Sequence, residues 1–192
     1  MEGPVTLLSL FLSISYLTCS VARIDPHGYQ ADMEFIKTSC GVTLYPDLCF
    51  QSLSPYASTV HMSPSRLAQV ALNVSLRSDR STSDMVVSIS KENDTSPREA
   101  AAVADCVETV GDSIDELQQS IGEMKHLHGP DFYQKLGNIQ TWVSAALTNE
   151  DTCMDGFQGG AMNGTIENTI RKGIVGVAQL TSNALALINK LS

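Results

Sequence analysis

Two pairs of cysteines constrain this chain more than any other feature. Cys40 and Cys49 bracket a short segment, Cys40-Gly-Val-Thr-Leu-Tyr-Pro-Asp-Leu-Cys49, whereas Cys106 and Cys153 lie far apart in helical surroundings. A fifth, Cys19, falls in an N-terminal stretch that reads as a secretory leader. Val5 to Leu17 is an apolar run of signal-core length, and Ser20 and Ala22 supply the small residues a signal peptidase requires. A membrane anchor needs roughly 20 apolar residues, and this run turns polar from Tyr16 to Ser20. No other segment reads as a bilayer span. Cleavage after Ala22 leaves 170 residues, enough for one domain with its own core, and it removes Cys19.

The four remaining cysteines suit a disulfide framework in an oxidising compartment. They allow three pairings, and spacing alone cannot choose among them. Cys40 with Cys49 and Cys106 with Cys153 is favoured, since the first closes a tight loop and the second clamps two long helices. Zinc is disfavoured, because eight residues separate Cys40 from Cys49 and neither a Cys-x-x-Cys nor a paired-His motif occurs.

Losing Glu2 with the leader leaves 20 acids against 12 Lys plus Arg, a net charge of −8. That balance argues against nucleic acid and for a basic protein surface as partner. Once secretion is accepted, the sequons at Asn73, Asn93 and Asn163 are candidate N-glycosylation sites.

Apolar spacing is helical throughout, and no stretch shows strand alternation. Residues 23 to 31 read as a flexible lead-in, followed by short helices over Asp32 to Lys37 and Asp47 to Leu53 that the first cysteine pair staples into a hairpin. Ser63-Pro64 is a helix start, with a cap residue and proline at the first helical position. That helix is expected to run to about Ser90 with Leu67, Val70, Ala71 and Val74 inward, although Arg77 to Asp84 weakens its apolar stripe. Ser96-Pro97-Arg98-Glu99 is a capping box, and Val103, Val107, Val110, Ile114, Leu117, Ile121 and Met124 follow it in steps of four and three. After Gly129-Pro130, a third helix turns Leu136, Ile139, Val143 and Ala146 inward. A fourth, from about Thr165, carries Ile166, Ile170, Gly173, Val177, Leu180, Ala184, Leu187 and Leu191. The expected architecture is all-α: a signal peptide (1–22), an N-terminal extension with the stapled hairpin (23–61), and an up-down-up-down four-helix bundle (62–192).

Several segments together resemble the plant invertase and pectin methylesterase inhibitor family. They are the first cysteine pair with Tyr45-Pro46-x-Leu48 inside it, Asp105-Cys106-x-Glu108, the run from Trp142 through Thr152-Cys153-x-Asp155-Gly156-Phe157, and Leu180-Thr181-Ser182-Asn183-Ala184-Leu185-Ala186-Leu187. The match covers about Glu34 to Leu191. The resemblance implies one disulfide in an N-terminal helical hairpin and a second joining two bundle helices. Within the family the chain is most similar to the pectin methylesterase inhibitors. These are extracellular proteins of the plant cell wall, without cofactor, that form a reversible one-to-one complex covering the substrate cleft of the esterase. The resemblance places the contacting residues here at Glu108, Asp112, Asp115, Thr152, Asp155 and the loop residue Asp131. Two departures stand beside it: Val110 where many relatives carry Tyr, and Gly111 where Ala is usual.

Spacing reaches part of this set independently. Asp105, Glu108, Asp112 and Asp115 fall at i, i+3, i+7 and i+10, on one side of a helix, with no Lys or Arg three or four residues away. A solvated helix face is the plain alternative, and a basic rim on a partner is the functional one. Thr152 can equally bond the local backbone, Trp142 reads as packing, and Tyr45-Pro46 reads as the fixed turn of the stapled loop.

Catalytic patterns are lacking, so no enzyme is expected. His27, His61, His126 and His128 form no i, i+4 pair. Asp151 to Met162 fails as a calcium loop at its third and twelfth positions. The alternatives are an inhibitor of cell-wall or vacuolar invertase and a non-inhibitory apoplastic interaction protein. Invertase inhibitors present Pro-Lys-Phe to an acidic site. The corresponding Pro130-Asp131-Phe132 carries the wrong sign, which favours the esterase.

Overall fold

The computed structural model describes residues 26–91, 96–157 and 164–192. The leader, Cys19, Asn93 and Asn163 lie outside these residues. Among the described residues all regular structure is helical: α1 (Pro26–Cys40), α2 (Pro46–Leu53), the single turn α3 (Ala57–Val60), α4 (Pro64–Ile89), α5 (Pro97–Met124), α6 (Phe132–Asp155) and α7 (Gly164–Ile188). The expected lead-in is therefore shorter than its sequence suggests, because α1 begins at Pro26.

Local chemistry sets the helix starts. The Ser63 side chain accepts from Arg66 N, with Pro64 at the first helical position of α4. The capping box at α5 is reciprocal: Glu99 N donates to Ser96 Oγ at 3.3 Å, and Ser96 N donates to Glu99 Oε2 at 3.0 Å. His61 and Met62 form the turn into α4 with φ of 47° and 52°, a left-handed conformation that costs non-glycine residues about 1 kcal/mol or more each. Gly129, with φ 85°, turns the chain between α5 and α6.

The long helices form an antiparallel ring in the order α4, α5, α6, α7. Cys106 near the start of α5 meets Cys153 near the end of α6, and Asn138 near the start of α6 donates to Glu123 near the end of α5. Thr181 donates to Glu150 and Gln140 to Asn189, which runs α7 against α6. Gly173 sits against Thr82 and Met85, while Leu187 and Leu67 share a surface cleft, which closes the ring antiparallel to α4. This is the expected up-down-up-down bundle.

The hairpin of α1 and α2 is stapled by Cys40–Cys49, with Cα atoms 5.6 Å apart. It lays Ile36, Cys40, Cys49 and Leu53 on one end of the bundle. The second bridge, Cys106–Cys153, spans 47 residues, and on the loop-entropy model such a cross-link stabilises by about 4 kcal/mol. The favoured cysteine pairing is the one present.

The core falls into two apolar clusters along the bundle axis. One contains Leu76, Leu117, Ala146 and Ala184 together with the hairpin. The other contains Val86, Val110, Cys153 and Ile174. Four polar residues lie between them, one from each helix: Asp79, Ser113, Glu150 and Thr181, each 0% exposed.

This layer corrects two sequence expectations. The polar stretch of α4 does not weaken its inward stripe, because Asp79 and Thr82 are themselves buried. The innermost seam of α5 runs Val103, Cys106, Val110, Ser113, Leu117, Ser120, Met124. Of the expected residues, Val107 and Ile114 are only half-buried. Helix α5 packs between two neighbours, so Val107 and Ile114 line the flank of the seam while Ser113 and Ser120 share its centre with Val110 and Leu117. A third correction concerns α7: Gly164–Leu191 is long and apolar enough to cross a membrane, with a mean hydropathy of 1.2. Here its stripe of Ile170, Ile174, Val177, Ala184, Leu187 and Ile188 is buried in the bundle.

Candidate partner-binding face

Helix α5 presents the candidate face. Asp105, Glu108, Asp112 and Asp115 are all exposed, on the side away from the buried seam. Among the described residues none of the four makes an ion pair; the two exposed pairs are Arg171 with Glu167 and Lys135 with Asp131. Asp115 Oδ1 accepts a weak bond from Gln118 Nε2 at 3.2 Å. A surface that concentrates like charge without local compensation gains little for the fold itself. It raises the potential available to a cationic partner.

The bridge between Cys106 and Cys153, with Cα atoms 4.3 Å apart, ties this stripe to the end of α6. Glu108 follows the cross-link on α5, and Thr152 and Asp155 flank it on α6, all three exposed. The Thr152 hydroxyl donates to the Thr148 carbonyl at 2.7 Å, so its proton is committed to the helix backbone. Just beyond Asp112, Glu116 is half-buried against α6 and accepts from Asn149 Nδ2 at 3.2 Å. Burial, and then the charge of Asp112, raise the pKa of Glu116, while the Asn149 bond opposes them.

Asp131 stands apart from this group. It precedes α6, and 20 residues of helix at 1.5 Å each separate Phe132 from Thr152, about 30 Å. It pairs with Lys135 at 3.0 Å, and that bond holds its carboxyl below the usual range. The structure gathers Glu108, Thr152 and Asp155 around one cross-link, continues along α5 through Asp112 and Asp115, and leaves Asp131 at the opposite end.

Other singled-out residues fall elsewhere. Trp142 is half-buried on α6. His126 and His128 lie in the turn after α5 rather than on a helix, and no group of three His, Cys, Asp or Glu is placed to hold a metal among the described residues. Asn73 is exposed on α4 with its Nδ2 donating to Gln69 O at 2.7 Å. A groove of about 1280 Å³ runs between α4 and α7, lined by residues including Arg77, Met85, Lys172 and Gly173, and α5 takes no part in it.

Sequence reasoning missed the buried polar layer. The Ser113 hydroxyl donates to Asp79 Oδ2 at 2.7 Å and lies 3.3 Å from Glu150 Oε1, which also accepts from Thr181 Oγ1 at 3.0 Å. Asp79 Oδ1 and Glu150 Oε2 are buried without a partner. Burial pushes Asp79 up to about 6 and, with the charge of Asp79, pushes Glu150 up to about 8. The available signal was positional: Ser113 stands between Val110 and Leu117, and Glu150 follows Val143 and Ala146 by helical steps.

The plant invertase/pectin methylesterase inhibitor model matches residues 34–187. Pectinesterase inhibitor 10 of Arabidopsis thaliana is 48% identical over 85% of this chain and 53% of its own length, so the chain spans about half of that relative. Pectinesterase inhibitor 9 of the same plant is 44% identical over 96% of this chain and 92% of its own, and a 21 kDa protein of Daucus carota is 47% identical over 83% and 84%. The fold is also that of a crystallised mutant form of a pectin methylesterase inhibitor from Arabidopsis, with a TM-score of 0.62 at 22% identity over 80% of this chain and 95% of that one. With its family model matched over most of its length, the chain is a member of the plant invertase/pectin methylesterase inhibitor family, a family of inhibitor proteins and not of enzymes.

Proposed function

We propose that this protein is a secreted inhibitor of pectin methylesterase. It binds the enzyme one-to-one through α5 and the end of α6 and covers the substrate cleft, and so regulates pectin methylesterification in the plant cell wall. Relatives named pectinesterase inhibitors support the choice of target. The observation that carries the choice of surface is the exposed stripe of Glu108, Asp112 and Asp115, which has no cation of its own among the described residues. Thr152 and Asp155 extend the surface beyond the cross-link, and Asp131 adds a contact only if the enzyme reaches the other end of α6. Secretion rests on the leader at residues 1–22, and the exposed Asn73 is the described candidate for glycosylation.

Replacing Asp112 and Asp115 together by Ala tests the surface. Each exposed acid facing a basic rim contributes mainly to association rate and salt dependence. The double variant should therefore keep its helical circular dichroism, inhibit the esterase about 10-fold or more weakly, and lose much of the salt sensitivity of inhibition. A folded double variant with unchanged inhibition would remove the stripe from the interface.

A further inference from the structure

The buried layer needs more protons than its hydroxyls supply. Ser113 has one hydroxyl proton, yet its oxygen lies within hydrogen-bond distance of carboxylates on two other helices. Donation to Asp79 leaves the contact with Glu150 Oε1 as two facing oxygens, unless Glu150 carries a proton and donates it to Ser113 Oγ. Thr181 then still donates to the same Glu150 oxygen. Asp79 Oδ1 and Glu150 Oε2, buried and unbonded, point the same way, since an orphaned oxygen costs far less on a neutral acid than on an anion.

We propose that Asp79, Ser113, Glu150 and Thr181 form a proton-held latch, which locks the four helices together while its acids are neutral and loosens the bundle when both ionise. The groups surrounding the pair supply no compensating charge. Glu150 faces Asp79 and, from its own helix, feels Asp151. On α4 the adjacent Arg80 is exposed and donates to Gln118 Oε1 on α5 at 3.0 Å. The acids next to Ser113 on α5 are exposed Asp112 and half-buried Glu116. Helix α7 carries no charged residue between Lys172 and Lys190 and offers only Thr181.

The direction follows from the raised values, about 6 for Asp79 and about 8 for Glu150. Between the ordinary carboxylate range and these values, the folded protein binds protons that the unfolded chain has released. Stability is thus complete at acid pH, falls as pH rises through 6 and 8, and levels off above. The device belongs to the bundle whatever partner α5 takes.

Thermal unfolding between pH 5 and pH 8 tests the latch without any esterase. The wild-type Tm should fall by about 5–10 °C across that range, and Asp79→Asn with Glu150→Gln should cut the fall by at least half. Equal slopes would overturn the proposal. If the double variant does not fold, carboxyl-carbon NMR of the wild-type protein decides: Asp79 and Glu150 titrating late support the latch, and both titrating in the ordinary carboxylate range overturn it.

Discussion

Asn183 of α7 holds both backbone hydrogen-bonding groups of Tyr45, the residue before α2. Its Oδ1 accepts from Tyr45 N at 3.1 Å, and its Nδ2 donates to Tyr45 O at 3.0 Å. Asn183 is 2% exposed, and the two residues are 138 positions apart. This clamp seats the stapled hairpin on the bundle where its helices begin and end. Asn183→Ala leaves Tyr45 N without its acceptor, while Tyr45 O keeps the bond from Cys49 N at 2.9 Å, and should cost about 1–3 kcal/mol. Urea unfolding measures the loss. A cost below about 1 kcal/mol would mean that the hairpin docks by apolar contact alone.

Two glycines should respond to alanine in opposite directions. At Gly173 an added Cβ would stand 2.8 Å from Met85 Cε and 3.0 Å from Thr82 Cγ2. Met85 can swing aside, whereas the β-branched Thr82 cannot without shifting α4. Gly173→Ala should therefore destabilise by about 1–2 kcal/mol, despite the better helix propensity of alanine. At Gly111 nothing lies within 4 Å of the added atom, so Gly111→Ala should stabilise α5 by up to about 1 kcal/mol. Chemical unfolding of the two variants side by side checks both signs.

Ser113→Ala removes the hydroxyl that bridges the two buried acids. The bond from Ser113 lowers the pKa of Asp79 against its burial, so its loss drives Asp79 further toward the neutral form. The destabilisation should be about 1–2 kcal/mol at pH 5, where neutral acids lose an ordinary hydrogen bond. It should be larger at pH 8, where an anion loses a charge-assisted one. Denaturant titrations at the two pH values would show a constant penalty if the pair were already ionised at pH 5.

Much of this fold is legible in the sequence because its determinants are local. The capping box at Ser96 and Glu99, the Ser63-Pro64 start and the apolar steps of α6 each predict the structure that forms. The polar layer is not legible in the same way. Asp79, Ser113, Glu150 and Thr181 look like surface residues until all four helices are assembled, since each is satisfied only by another helix. For the same reason the seam of α5 is misjudged in part: Ser113 and Ser120 are passed over while the half-buried Val107 and Ile114 are included, although the centre of a four-helix core has room for small side chains. The acidic stripe is visible from its i, i+3, i+7, i+10 spacing alone. That Asp131 lies about 30 Å along α6 from Thr152 becomes plain only when the helix is continuous.

Titration of the purified mature protein against a plant pectin methylesterase, with an acid invertase in parallel, tests the central claim most directly. The account predicts saturable inhibition of the esterase that reaches its plateau at one inhibitor per enzyme, with no effect on the invertase. Undiminished esterase activity at a large molar excess of folded protein, or inhibition of the invertase alone, would contradict it.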